Sequence, residues 1–382
     1  MKHNRKIIYL AGFLFSIPVA LTAYINSSFL ENYINAYYVG ILYVIASMTT
    51  IFGLLGMPQV LTKIGNRSVI FLFSLILFCS LVILAFGNKN SIVIPAFILY
   101  FISLNFIVAS LDIFIEDFSK NSKIGGIRGI YLSITSLAWV VAQLISGSII
   151  TKGSFQGIYL LSALFMVLVY ILFVLFLRDF KDPEYKRVSI SRTIKLFIRN
   201  KHISKIYLIN LILKFFYAWM IIYTPIYLHE YMGFTWDKIG IIFSIMLIPF
   251  VVLDFPLGKL SDKIGEKKML IVGFFIISIS TLVIPLIKTQ TFFLWTLVLL
   301  FTRVGAAIID TMSESYFFKV VTEENADIIS FFRNTFPLSF IIGPALAIPV
   351  LLLVPSFEYL FFVLGVIMLC GFLVTLRLRD VK

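Results

Sequence analysis

Twelve apolar runs, each about as long as a bilayer's hydrocarbon core requires of a helix, fill this chain between short polar breaks. They fall at 7–26, 37–57, 68–87, 91–115, 129–151, 155–177, 206–229, 239–257, 269–287, 291–318, 328–353 and 357–377. A helix spanning about 30 Å of hydrocarbon needs about 20 such residues. The composition fits the same solvent: 60% of residues are hydrophobic, only 13% are charged, and mean hydropathy is +1.02. A water-soluble domain of 382 residues carries far more charge.

The net charge of +13 raises nucleic acid as a partner, and the placement of the charge argues against it. Of the 32 lysines and arginines, 25 lie in breaks on one alternating side, four lie on the other (Lys89, Lys152, Lys238, Lys288), and three fall inside runs. That asymmetry is the positive-inside pattern and places both termini in the cytoplasm. The opening MKHNRK followed by an apolar run is read as an uncleaved first span, because the run is long for a secretory signal. Cys79 and Cys370 each sit within an apolar run and are read as packing residues. His3, His202 and His229 have no metal-ligand spacing, so neither metal nor cofactor is expected.

The longest polar interval, from Arg178 to Lys205, carries nine basic residues and Pro183. It divides the chain into six spans and six spans: 1–178, a cytoplasmic linker at 179–204 whose charge suits anionic headgroups, and 205–382. The halves repeat. Lys63-Ile64-Gly65 matches Lys263-Ile264-Gly265, Gly40 matches Gly240, Asp112 and Glu116 match Asp310 and Glu314, and Arg128 matches Arg333. With an even number of spans per half, the two enter the membrane in the same direction. The expected fold is all-α and membrane-integral, with twelve helices in two six-helix bundles related by a pseudo-two-fold axis along the membrane normal.

The stretch GKLSDKIGEKK, at 258–268, reads as a tight basic turn between an apolar helix ending near Leu257 and another starting at Met269. It resembles the cytoplasmic loop signature of the major facilitator superfamily through Gly258, Asp262, Lys263, Gly265, Lys267 and Lys268. The first-half copy, VLTKIGNRSVI, keeps Gly65 and Arg67 but has Pro58 and Thr62 where the glycine and aspartate would stand. The resemblance implies a secondary transporter that moves a small solute by alternating access, with a cavity lined by spans 1, 4, 7 and 10. It alone gives proton-linked efflux as the direction.

Charge inside a span is costly, about 2.5–3.5 kcal/mol on insertion scales, so each embedded charge calls for a use. Arg303, Asp310 and Glu314 are stacked on one face of span 10, and Asn105, Asp112 and Glu116 repeat the spacing in span 4. Glu116 and Glu314 lie near the basic ends of their spans and read as gate residues. Their basic counterparts there include Arg128 and Arg333, with Arg67 opposite the first acid and Lys267 opposite the second. Asp254 reads as another gate residue. Asp112 and Asp310, about a turn deeper, read either as proton carriers or as members of fixed ion pairs, with Arg303 or Lys214 as the cation for Asp310. The depths of Lys214 and Asp310 agree. Polar groups nearer the midplane (Asn105, Gln143, Tyr217, Trp219, Tyr223 and Arg303) are the substrate-cavity candidates.

No nucleotide-binding loop of the G-x-x-x-x-G-K-[ST] type occurs, which argues against direct drive by ATP. Short outer breaks count against a membrane enzyme. A passive facilitator, and a non-transporting scaffold or receptor, are the alternatives to a proton-coupled carrier. The expected partners are a small solute, protons and membrane lipids, with no nucleic acid and with the chain acting as a monomer.

Overall fold

The structure, a computed structural model, describes residues 2–119, 124–152, 154–176, 199–320 and 331–378. Among these, all regular secondary structure is helical. Eleven helical segments are long and apolar enough to cross a membrane, and Tyr9–Ala23 adds a shorter apolar one at the start. By contact density the chain forms two compact units, one of residues 1–187 with 235–244, the other of 188–234 with 245–382.

The first unit contains α1 (Lys2–Ala23), a short α2 (Asn26–Glu31), α3 (Ala36–Phe86), α4 (Asn90–Ser119), α5 (Ile124–Lys152) and α6 (Phe155–Phe176). Its packing runs through α1 against α5 and α6, and α3 against α4 and α6. The second unit contains α7 (Lys201–Ile226), which continues into a π-turn at Tyr227–Tyr231, and most of α8 (Trp236–Ile264). It continues with α9 (Glu266–Val283), α10 (Phe292–Val320), α11 (Thr335–Leu353) and α12 (Tyr359–Leu376). There α9 packs on α10 and α12, and α7 packs on α10, α11 and α12. The start of α7 is fixed by Asn200, whose side-chain oxygen accepts from the backbone N–H groups of His202 and Ile203.

The surface is apolar where a soluble protein's would be polar. On α6, Leu164, Leu168, Ile171 and Leu175 are all exposed and fall on one helical face, suited to hydrocarbon. Serine and threonine hydroxyls follow the same logic. Those of Thr50, Ser80, Ser278, Thr281 and Thr375 each donate to the carbonyl four residues earlier in their own helix, so they need neither water nor a neighbour.

Two expectations are corrected. The basic stretch 258–268 is not an open turn: α8 runs on to Ile264, and α9 begins at Glu266. Gly265 alone breaks the helix, at φ 89° and ψ 145°. Likewise α3 passes through the first-half copy and departs from helical geometry only at Gly65, at φ 76° and ψ 161°. Charged side chains near a span's end can extend to water from a helix surface, so polarity does not itself end the helix. A positive φ does, and glycine adopts it without Cβ strain. The second correction concerns the cysteines. Cys79 and Cys370 are free and exposed rather than packed inside, on outer faces where a thiol serves as a small apolar group.

Candidate functional site

The site is built on α10. Between its polar residues lie Gly305, Ala306 and Ala307, and this small-residue segment lets α9 approach closely. A Cβ on Gly305 would stand 2.7 Å from the Gly273 carbonyl oxygen and 2.7 Å from the Ile277 nitrogen. The close crossing helps bury the rest of the helix: Arg303, Ala306, Ala307, Ile309, Met312 and Tyr316 are all almost wholly inaccessible.

Along this helix the polar groups form successive layers, each tied to a different part of the second unit. The Arg303 guanidinium, 1% exposed, lies over the rings of Phe216 and Tyr217 at 5.1 and 5.8 Å. Two turns on, the Asp310 Oδ1 accepts from the Lys214 Nζ of α7 at 2.8 Å, both side chains largely covered. Thr311 places its Oγ1 3.0 Å from the Asp254 Oδ1 of α8 and 2.9 Å from the Ala307 carbonyl oxygen. Glu314 receives two bonds from the Arg333 guanidinium, at 2.7 and 3.1 Å, the parallel geometry that makes Arg–carboxylate pairs strong. The Glu266 carboxylate, 2% exposed, takes Lys319 Nζ at 2.6 Å and Ser315 Oγ at 3.1 Å. Tyr316 shares a hydrogen bond with the His202 ring at 2.8 Å.

An ionised group left alone in low dielectric is prohibitive, so the pairing along α10 is what permits so much charge there. What the arrangement can do follows from its reach: a displacement of α10 or a change in the charge of one layer is felt on α7, α8, α9 and the residues just before α11.

The anticipated residues fall into several groups. Lys214, Tyr217, Arg303 and Asp310 are together, with the Lys214 Nζ also 5.2 Å from the Tyr217 ring centre. Asp310 takes Lys214 rather than Arg303 as its cation. Trp219 and Tyr223 are buried elsewhere: the Trp219 Nε1 donates to the Gly343 carbonyl at 2.7 Å, and Tyr223 is edge-on to Trp219 and Phe357. Glu314 meets Arg333, and Lys267 lies half-buried in the first turn of α9. Arg67 sits 5.7 Å from the Phe71 ring. Asn105 donates to its own helix at Phe101, and Gln143, 1% exposed, donates to the Ala20 carbonyl. Helices α4, α5 and α8 carry Asp112, Glu116, Arg128, Gly258, Asp262 and Lys263, whose side-chain surroundings lie outside the described residues.

Two sets of polar residues escaped the sequence reading. In the second unit these are Thr311, Ser315, Lys319 and Glu266; the i, i+4 spacing of Ser315 and Lys319 was the available signal. In the first unit a buried uncharged network joins four helical segments, α1, α2, α4 and α6. Thr22 and Asn26 bond the Tyr100 hydroxyl at 2.6 and 3.2 Å, and the Tyr159 hydroxyl donates to Asn26 at 2.8 Å. Its signal was Asn26 and two tyrosines inside apolar runs.

A multi-span helical chain with paired charges embedded on one inner helix has the build of a polytopic membrane carrier. Residues 8–238 and 237–382 match the profile described as Major Facilitator Superfamily, and the chain belongs to that superfamily. It is therefore a multi-pass integral membrane protein of a transporter family, with the two six-helix bundles of that fold. An uncharacterized MFS-type transporter of Methanocaldococcus jannaschii is 25% identical over 238 residues, and the match spans 60% of each chain. The crystal structure of a point mutant of the nucleoside transporter NupG superposes with a TM-score of 0.77 at 12% identity, covering 98% of this chain and 99% of that one. Unmutated NupG gives 0.75 at 12% identity, covering 98% and 100%. These two likenesses concern the fold alone.

Proposed function

We propose that this chain is a secondary active transporter that carries a small solute by alternating access, coupled to protons through the embedded acids of its second unit, and that it works in the direction of efflux. The observation that carries the coupling is the Lys214–Asp310 contact at 2.8 Å, an ion pair placed well inside two spans. Insertion of those charges opposes folding in lipid, so a pair retained there at that cost marks a working part of the span. In this reading residues 1–178 and 205–382 rock about a midplane site, both termini are cytoplasmic, and the 179–204 linker rests its basic residues against anionic headgroups. Arg333 and Glu314 are a gate pair that separates when its end opens. Asp112 extends the acid set into the first half, and the chain acts as a monomer.

The test is solute flux in proteoliposomes under an imposed pH gradient, wild type against Asp310→Asn. Because NupG is a nucleoside transporter, nucleosides join the panel beside sugars, organic anions and lipophilic cations. The expected result is a gradient-driven flux for one class that falls at least about tenfold in the variant. Flux indifferent to both the gradient and the substitution would make the chain a passive facilitator, with Lys214–Asp310 a fixed pair. No flux of any probe would favour a non-transporting scaffold.

A further inference from the structure

The Thr311 hydroxyl has two oxygen neighbours and one hydrogen. The Ala307 carbonyl lies at 2.9 Å, in the usual position for a helical threonine, and the Asp254 Oδ1 lies at 3.0 Å. A hydroxyl donates once and can accept as well, so the direction of each bond depends on the charge of Asp254. With Asp254 ionised, the hydrogen turns to the carboxylate and makes a charge-assisted bond. With Asp254 neutral, the acid's own O–H donates to Thr311 Oγ1, and the threonine hydrogen swings to the Ala307 carbonyl. Both states satisfy this contact and differ by one O–H rotation.

Asp310 has no such freedom. The ammonium of Lys214 can only donate, so protonating Asp310 at its Oδ1 replaces an ion pair with a charged amine against a neutral acid in low dielectric. We propose that the coupling proton is held by Asp254, with Thr311 as its positioning residue, while Asp310 stays ionised against Lys214. This rests on the proton-coupled reading and assigns its proton to a residue. Among the described residues, the charged groups about the site are Asp310, adjacent to Thr311 on α10, Lys214 of α7, engaged by Asp310, and Arg303, two turns along α10 over Phe216 and Tyr217. Asp254, Asp310 and Lys214 together are one proton short of neutrality. The step balances: a proton adds to the Asp254 carboxylate, the Thr311 hydrogen moves from that carboxylate to the Ala307 carbonyl, and the Lys214–Asp310 bond persists. Release reverses it.

The experiment is infrared titration of the purified full-length protein in lipid vesicles, with no solute, following the C=O stretch of protonated carboxyl groups. A pH-dependent band is expected in wild type and in Asp310→Asn and is expected to vanish in Asp254→Asn. Thr311→Val should move its midpoint by about one pH unit, and Thr311→Ser should restore it. If Asp254→Asn does not reconstitute, the two threonine variants decide: an unmoved midpoint in Thr311→Val overturns the assignment. So does a band that survives Asp254→Asn and disappears in Asp310→Asn. The flux assay separates the two readings. Gradient-driven flux in wild type together with a band belonging to Asp310 sinks this assignment and leaves coupling standing. Flux indifferent to the gradient removes the coupling reading, and this one with it.

Discussion

Gly65 and Gly265 break their helices alike, at φ 76°, ψ 161° and φ 89°, ψ 145°, but the residue after each is held in a different way. Asn66 is wholly buried, and its amide donates to the Ser110 carbonyl of α4 at 3.0 Å. Glu266 is as deeply buried and is held instead by the Lys319 ammonium and the Ser315 hydroxyl of α10. One unit fixes the turn with a neutral amide, the other with a full negative charge. The contrast extends inward. Among the described residues the first unit's interior network of Thr22, Asn26, Tyr100 and Tyr159 is uncharged, while the second unit's α10 carries a column of ion pairs. The two units share the backbone break and differ in its electrostatics, which makes the second unit the one whose geometry answers to charge.

The strongest way to break this comparison is to remove Lys319. Lys319→Ala leaves the buried Glu266 carboxylate without its cation and should cost about 3–5 kcal/mol of stability, read by chemical unfolding in detergent. A loss no larger than about 1 kcal/mol would mean water reaches Glu266 and the two turns are held alike.

The backbone half of the comparison is sharpened by Gly65→Ala and Gly265→Ala. Each places a side chain at positive φ with extended ψ, in a region few residues but glycine populate, and each should destabilise by about 1–3 kcal/mol. Clearly unequal losses would show that the two breaks are not equivalent.

The smallest effect belongs to a charge pair at the other extreme of exposure. Lys288 and Glu358 meet at 2.7 Å with the lysine 66% exposed, so Lys288→Ala should cost less than about 1 kcal/mol and be screened by salt. The hydrogen bond from Lys288 holds the Glu358 carboxyl below its ordinary range. A depressed folded value stabilises above the unfolded carboxylate's pKa and is lost as pH falls through the folded one. Wild type and variant should therefore converge in acid; a gap that widens there would reverse the assigned sign.

The spans were legible because a run of apolar residues longer than a soluble strand or core helix has few other uses. Their ends were less so. At 258–268 the charges suggested a loop, yet only Gly265 needed to leave the helix, and composition cannot separate a charged turn from a charged last turn of helix. Depth along the spans put Lys214 at the level of Asp310, since depth follows from counting, but left Arg303 open as the alternative cation. That Glu314 meets Arg333 depends on how α10 and the residues just before α11 are turned toward each other, which counting does not fix. Thr311 gave no signal at all. One hydroxyl in the stretch Asp310-Thr311-Met312-Ser313-Glu314 looks like any other there, and what distinguishes it is an acid 57 residues away in the chain.

Several hydroxyls in these helices are folded back on their own backbone, as at Thr50, Ser80, Ser278, Thr281 and Thr375. Such positions are private to their helix: no neighbour registers whether the oxygen is present. Over generations they are free to wander among serine, threonine, alanine and valine, and a lineage can turn over much of its polar content there while the carrier goes on working. The hydroxyls answerable to a second helix have no such latitude, and variation that avoids them would trace the working parts of the molecule without any assay.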